Sequence, residues 1–144
     1  TQHSLTKAQS KEVSALMHAV NDLERIADHA ENITRLSEEK VESRLPISEQ
    51  AQTELQNMYA KVDEMLAHSL LAFEKQDFLL AGQVVDQDDE IDNLERVLRK
   101  SHISRINEKI CFPPSGILFL DVISNLERIA DHTTNFAQLV LGEY

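Results

Sequence analysis

The sequence has 144 residues, the length of a single domain that can bury a sizeable core. Fourteen basic and twenty-five acidic side chains give a formal net charge of −11, which excludes the basic surface needed to bind nucleic acid or an anionic membrane. Its apolar runs are far shorter than the ~20 residues of a membrane-spanning helix, so we expect no direct membrane insertion.

The first half of the chain predicts two long helices. Apolar residues recur every three or four positions from about residue 8 to residue 38, which is typical of an amphipathic helix. Arg44, Leu45 and Pro46 interrupt this pattern. Ser48 is placed to cap a second helix, whose apolar positions continue to about residue 74.

The second half of the chain predicts two further helices. Asp77 can cap a third helix, whose apolar positions extend as far as Ile110. The pair Pro113 and Pro114 ends that helix and can start a fourth, which runs to about Val140. Because short connections force neighbouring helices to run in opposite directions, the sequence predicts an all-α, antiparallel up-and-down bundle of four long helices.

The seven residues LERIADH occur twice, at Leu23–His29 and Leu126–His132, 103 residues apart. Asn32 and Asn135 match at the same offset, whereas Lys11–Val20 and Pro114–Ile123, aligned in the same way, share no residue. An ancestral duplication has therefore diverged except in this stretch. Packing alone accounts for the repeated Leu, Ile and Ala, but not for the repeated charged residues.

Each copy of the repeat contains two carboxylates on one helix face. Glu24 and Asp28 are four residues apart, as are Glu127 and Asp131. Carboxylates this close repel each other unless a cation lies between them or one of them is protonated. A solvated acidic row, with the repeated arginines paired to carboxylates of a neighbouring helix, is the alternative interpretation.

The third predicted helix carries a second group of carboxylates in the segment QDDEIDNLER. Its periodicity places Asp88 and Glu95 in the apolar seam, with Asp89 and Asp92 beside them. If this helix packs against the fourth, four or more carboxylates converge, and such an all-oxygen site suits hard cations, iron or manganese. The alternative is that the seam carboxylates pair with the repeated arginines.

These motifs resemble those of a known family. NDLERIADHAENI and SNLERIADHTTNFA resemble the signature of PhoU-like proteins, and DDEIDNLE resembles the acidic stretch on that family's middle helix. INEKICFPPSGILFLDVISNLERIADH is most similar to the C-terminal cytoplasmic PhoU-like region of sodium/phosphate cotransporter family proteins. The resemblance implies that residues 1–45 hold the last helix of an incomplete first repeat and residues 46–144 a complete three-helix repeat.

The resemblance also implies a function. PhoU-like proteins are adaptors that regulate phosphate transport and signalling, and some hold multinuclear iron or zinc clusters through Glu/Asp-x-x-x-Asp motifs. It implies a bound divalent or trivalent iron, zinc or manganese ion, and as partner a transporter membrane domain or a phosphate-signalling protein. The metal positions that it implies are Glu24, Asp28, Glu127 and Asp131, with Asp88, Asp89 and Asp92 in support.

Other expectations concern location, assembly and catalysis. The single cysteine, Cys111, cannot form an internal disulfide, which fits a cytoplasmic chain. The resemblance further implies that the chain is the cytosolic domain of an inner-membrane transporter. An incomplete repeat would expose an apolar helix face that a second copy could cover, giving a homodimer. We expect no enzyme, because a carboxylate-bridged di-metal enzyme typically needs Glu-x-x-His pairs, which are absent. A metal-free structural helical module is the remaining alternative.

Overall fold

The computed structural model describes residues 4–143 and confirms the all-α fold. Its four helices are α1 (Lys7–Glu42), α2 (Glu49–Lys75), α3 (Phe78–Asn107) and α4 (Pro113–Val140). Helix α4 packs against all three others and α2 also packs against α3, but α1 contacts only α4. The fold is therefore a three-helix bundle of α2, α3 and α4, with α1 lying along the outer side of α4. None of the described helices is long and apolar enough to cross a membrane.

Side-chain caps fix where the first three helices begin. Thr6 and Gln9 form a reciprocal capping box at α1, which the sequence reading had not identified. The hydroxyl of Ser48 accepts from the backbone N–H of Ala51, and the carboxylate of Asp77 accepts from that of Leu80. The two caps predicted from the sequence are thus confirmed. Helix α4 instead begins at the proline pair, where missing N–H groups need no cap.

The end of α3 differs from the sequence prediction. The helix ends at Asn107, and Ile110 lies in the following loop with 70% of its surface exposed. Lys109 adopts a left-handed conformation with φ of 61°, and the N–H of Ile110 bonds back to the carbonyl of Arg105. This is the Schellman arrangement that closes a helix by satisfying its last carbonyls. The chain therefore leaves the helix before the prolines are reached.

The hydrophobic core lies between α2, α3 and α4. Phe119 and Ile123 of α4 are essentially fully buried, as are Met58 and Met65 of α2 and Ile91 of α3. Each side chain of this kind removes enough apolar surface from water to contribute roughly 1.5–3 kcal/mol to folding. Because α4 packs against each of the other three helices, it positions the α3–α4 carboxylates and the α1–α4 histidine contacts described below.

Helices α1 and α4 meet through an interface with approximate two-fold symmetry. The Asp22 carboxylate accepts a hydrogen bond from the His132 ring at 3.2 Å, and the Asn125 side chain bonds the His29 ring at 2.9 Å. At the 103-residue offset, Asn125 is the counterpart of Asp22, and His132 is the counterpart of His29. The two contacts are therefore copies of each other, and the histidine rings stack at the centre with centroids 5.9 Å apart. Such reciprocal pairing is the property of a self-complementary interface.

The symmetry does not extend to the surroundings of the two helices. On α1, Leu16 is 50% exposed and Val20 is 62% exposed, whereas their counterparts on α4, Phe119 and Ile123, are 1% and 0% exposed. Helices α2 and α3 cover this face of α4, and no described element covers it on α1. Helix α1 thus presents an unpartnered apolar face.

The α1–α4 interface predicts the effect of shortening Ile26, which is buried against the core. Ile26→Ala is expected to lower the free energy of unfolding by about 2–4 kcal/mol, because it leaves a cavity between the two helices. Val20→Ala on the exposed face is the matched control and is expected to cost less than about 1 kcal/mol. Urea denaturation followed by circular dichroism measures both; equal losses would mean that α1 does not dock as described.

Candidate metal centre

The packing of α3 against α4 brings four carboxylates together. Asp88 and Asp92 stand one turn apart on α3, and Glu127 and Asp131 stand one turn apart on α4. One carboxylate oxygen from each of Asp88, Asp92 and Asp131 lies within 4.8 Å of the others. Glu127 approaches both Asp131 and Asp92. The sequence predicted that these carboxylates would converge if α3 packs against α4. The structure has this packing, and all four side chains are half-buried.

Burial and mutual repulsion hold protons on two of these groups. Burial, followed by the nearby charges of Asp131 and Asp92, raises the pKa of Asp88 to about 7. Burial and the close approach of Asp131 and Asp92 raise the pKa of Glu127 to about 8. Thr134, beside Asp88, opposes the rise in its pKa. Near neutral pH the cluster therefore carries less negative charge than four exposed carboxylates would.

The cluster has no protein cation to balance it. Among residues 4–143, no lysine, arginine or histidine forms an ion pair with these four carboxylates. The Oδ1 atoms of Asp88 and Asp92 are buried without a hydrogen-bond partner. Glu95 instead pairs with Arg99 at 2.6 Å, and the repeated arginines, Arg25 and Arg128, are exposed. Among the described residues, the alternative in which the repeated arginines pair with Asp88 and Glu95 therefore does not occur.

The donor set fits a hard cation. Buried carboxylate oxygens that lack partners are the ligands that iron, manganese, magnesium or calcium would satisfy, and a bound ion would remove the repulsion that raises the two pKa values. Among the described residues the cluster holds no histidine or cysteine. Zinc is consequently the least favoured of the three metals implied by the sequence, because its protein sites usually include those ligands.

Three of the predicted metal positions lie outside the cluster. Glu24 and Asp28 are exposed on α1, and no carboxylate of the described residues joins them to form a comparable group. Asp89 is also exposed, because it stands about 100° around α3 from Asp88. The same Glu-x-x-x-Asp letters are therefore half-buried on α4 and exposed on α1. For these three residues a role in metal binding stays a prediction.

Sequence reasoning missed residues that only the tertiary structure identifies. Thr134 lies next to Asp88, and its spacing from Asp131 is the one available signal because residues three apart share a helix face. Asp22 and Asn125 hold the two repeated histidines between α1 and α4. Because these two positions hold different residues in the two copies of the repeat, sequence identity between the copies does not mark them.

The raised pKa values predict that the metal-free protein loses stability as pH rises. In the unfolded chain these groups have ordinary pKa values of 3.8 for Asp and 4.5 for Glu, so between about pH 4 and pH 8 the folded state binds more protons than the unfolded state. The stabilisation that these two groups give the folded state is therefore complete below about pH 4 and is lost as pH rises through their folded-state pKa values of about 7 and about 8. We expect the free energy of unfolding to fall across this window.

Asp88→Asn isolates this effect. It should make the fall in the free energy of unfolding between pH 4 and pH 8 less steep. It should also raise that free energy at pH 8 by on the order of 1 kcal/mol, because a neutral amide replaces a repelled carboxylate. Asp89→Asn, at the exposed neighbouring position, is the control and should leave the slope unchanged. Denaturant titrations in chelator from pH 4 to pH 8 measure both. A decline that Asp88→Asn leaves as steep as in the wild type would refute the assigned electrostatics.

Comparison with known proteins matches residues 1–37 and 55–140 to the PhoU domain family. The chain is 28% identical over 137 residues to a phosphate-specific transport system accessory protein PhoU homolog of Thermotoga maritima, covering 92% of this chain and 56% of that protein. It is 34% identical over 129 residues to the PhoU homolog of Synechocystis sp., covering 89% and 55%. The chain thus spans little more than half the length of these relatives.

Solved structures show the same fold. PhoU from Pseudomonas aeruginosa superposes with a TM-score of 0.90 over 96% of this chain and 66% of that one, at 24% identity. The phosphate transport system regulatory protein PhoU from Streptococcus pneumoniae gives a TM-score of 0.82 over 95% and 63%, at 26% identity. With the family match extending over most of the sequence, the chain belongs to the PhoU domain family.

Proposed function

We propose that this chain is a regulatory domain of a phosphate transport system, in which a metal ion held between α3 and α4 fixes the helix surface that a partner protein recognises. The observation that carries the metal assignment is the convergence of Asp88, Asp92, Glu127 and Asp131 without a protein cation. The phosphate-transport assignment rests on relatives named as accessory proteins of such systems.

Of the three metals that the sequence implies, iron and manganese suit this all-carboxylate site better than zinc. The ligands are carboxylates from two rigid helices, which fix ligand positions more precisely than loops do. Because the pKa values of Asp88 and Glu127 are raised, protons compete with the metal ion for these carboxylates, and the affinity for metal should increase with pH. We propose binding without catalysis, because the relatives are named as accessory proteins and no Glu-x-x-His pair supplies a di-metal enzyme site.

The apolar face of α1 has a place in this proposal. We assign residues 1–45 to the last helix of an incomplete first repeat and residues 46–144 to a complete one. In support, Leu16 and Val20 occupy on α1 the positions that α2 and α3 cover on α4. A helix pair equivalent to α2 and α3 would cover them. The partner, a transporter membrane domain or a phosphate-signalling protein, would then contact the remaining helix faces.

The location follows from the same assignment. The chain would act in the cytoplasm as the cytosolic part of a sodium/phosphate cotransporter, beside the membrane domain that it regulates. A second copy covering the α1 face would make a homodimer instead.

The repeat supplies a matched pair of variants that test the metal site. Glu127→Gln/Asp131→Asn removes two carboxyl groups from the cluster, whereas Glu24→Gln/Asp28→Asn makes the same changes in the exposed copy. After loading with Fe²⁺ or Mn²⁺ and desalting, we expect about one or more ions per wild-type chain, at least a tenfold loss in the first variant, and wild-type content in the second. Plasma mass spectrometry of the protein measures the content.

Two outcomes would contradict the assignment. Metal-free wild-type protein after reloading would leave a helical module held by protein contacts, and an equal loss in both variants would remove the special role of the α3–α4 cluster. The same variants test regulation when each replaces the natural protein in its source organism. Phosphate uptake at high external phosphate should change with the first variant and stay normal with the second.

A further inference from the structure

A cavity of about 420 Å³ lies at the end of the bundle where α2 and α4 begin and α3 ends. Its apolar wall includes Ile47 and Phe119, and its polar wall includes Arg105, His102 and Ser115. Arg105 follows Asp92 by thirteen residues on α3, which is about 20 Å at the helical rise per residue. The cavity is therefore separate from the carboxylate cluster and does not depend on the metal.

Two of the polar side chains that line the cavity are buried without full partners. Ser115 is 4% exposed and its hydroxyl has no hydrogen-bond partner; His102 is 2% exposed and its Nδ1 has none. The other nitrogen of His102 lies 3.1 Å from Glu54, and burial lowers the pKa of the ring, so it is neutral at neutral pH. Buried polar atoms are normally satisfied, so unpartnered ones at a cavity point to a polar ligand.

The electrostatics of the cavity select a negatively charged group. Among residues 4–143, no aspartate or glutamate lines it, although the whole chain carries a net charge of −11. Arg105 lines it, and the positive dipole ends of α2 and α4 lie at the cavity, where they outnumber the one negative end, that of α3. Glu54 lies behind Arg105, with its Oε1 3.3 Å from Nη1. Because that carboxylate already offsets part of the arginine charge, a monoanion fits better than a dianion such as phosphate.

The apolar wall requires that the ligand be more than a bare ion. The Phe119 ring stacks on the His102 ring with centroids 3.4 Å apart, and Ile47 and Phe112 lie at the same cavity. Pockets of this size, mainly apolar with a few convergent polar groups, are typical of small organic ligands. We propose that this cavity binds a small amphipathic carboxylate, with its carboxylate at Arg105 and its apolar body against Ile47, Phe112 and Phe119.

Titration with sodium octanoate, followed by amide resonances of the ¹⁵N-labelled full chain, tests the proposal. We expect saturable shifts concentrated at Gln50, Ala51 and Gly116, which line the cavity. Arg105→Gln should weaken octanoate binding about ten- to a hundredfold, because it removes a charge-assisted hydrogen bond. Arg99→Gln, on the same helix but paired with Glu95 outside the cavity, is the control and should bind like the wild type.

A second variant keeps the test valid if the loss of Arg105 destabilises the fold. Ala51→Leu fills the cavity without changing charge, and it should abolish the octanoate shifts. Octanol and inorganic phosphate are the comparison ligands, and each should bind at least tenfold more weakly than octanoate. The proposal is overturned if octanoate produces no localised shifts, if octanol binds equally well, if phosphate binds more tightly, or if neither variant weakens binding.

Discussion

Repulsion among four acidic side chains in one half-buried volume is the constraint on which the properties of this site depend. Asp88, Asp92, Glu127 and Asp131 converge because apolar residues of α3 and α4 pack together, and no cation of the described residues pairs with them. Hydrophobic burial therefore stabilises an arrangement that electrostatics opposes. Either protons or a metal ion must relieve the repulsion. Protons do so by neutralising carboxylates, whereas a metal ion balances carboxylates that stay charged. Binding of a cation would couple the folding of the bundle to metal.

The duplicated LERIADH stretch has two separate structural roles. One face of each copy, around His29 and His132, builds the near-symmetric interface that joins α1 to α4. A self-complementary interface places the same residue on both sides of its axis, which explains why the histidine is present in both copies. The carboxylates occupy another part of each helix, and there only the α4 copy meets a second acidic helix. The two identical stretches therefore differ in chemical role because different helices pack around them.

The sequence predicted the features that depend on local physics. The four helices, the caps at Ser48 and Asp77, and the acidic seam at Asp88 follow from periodicity and side-chain geometry, and the structure has them all. The end of α3 was misplaced because a left-handed Lys109 carries no glycine signal. The family resemblance, confirmed by the comparisons, added the expectation of a repeat architecture.

Other features could not be predicted because they depend on which helices touch. Spacing alone treats Glu24 and Glu127 as equivalent, and they differ because no described helix packs on that side of α1. The contact of Glu54 with His102 joins residues from different helices, and the cavity beside it forms from two loops and three helix ends. Neither leaves a pattern in the chain.

The most direct test of the metal assignment is anomalous diffraction from crystals of the protein loaded with Mn²⁺ or Fe²⁺, with data collected on either side of the metal's absorption edge. A metal centre at this cluster predicts an anomalous peak between α3 and α4, within coordination distance of carboxylate oxygens from Asp88, Asp92 and Asp131. Metal bound elsewhere, with no peak at this cluster, would contradict it.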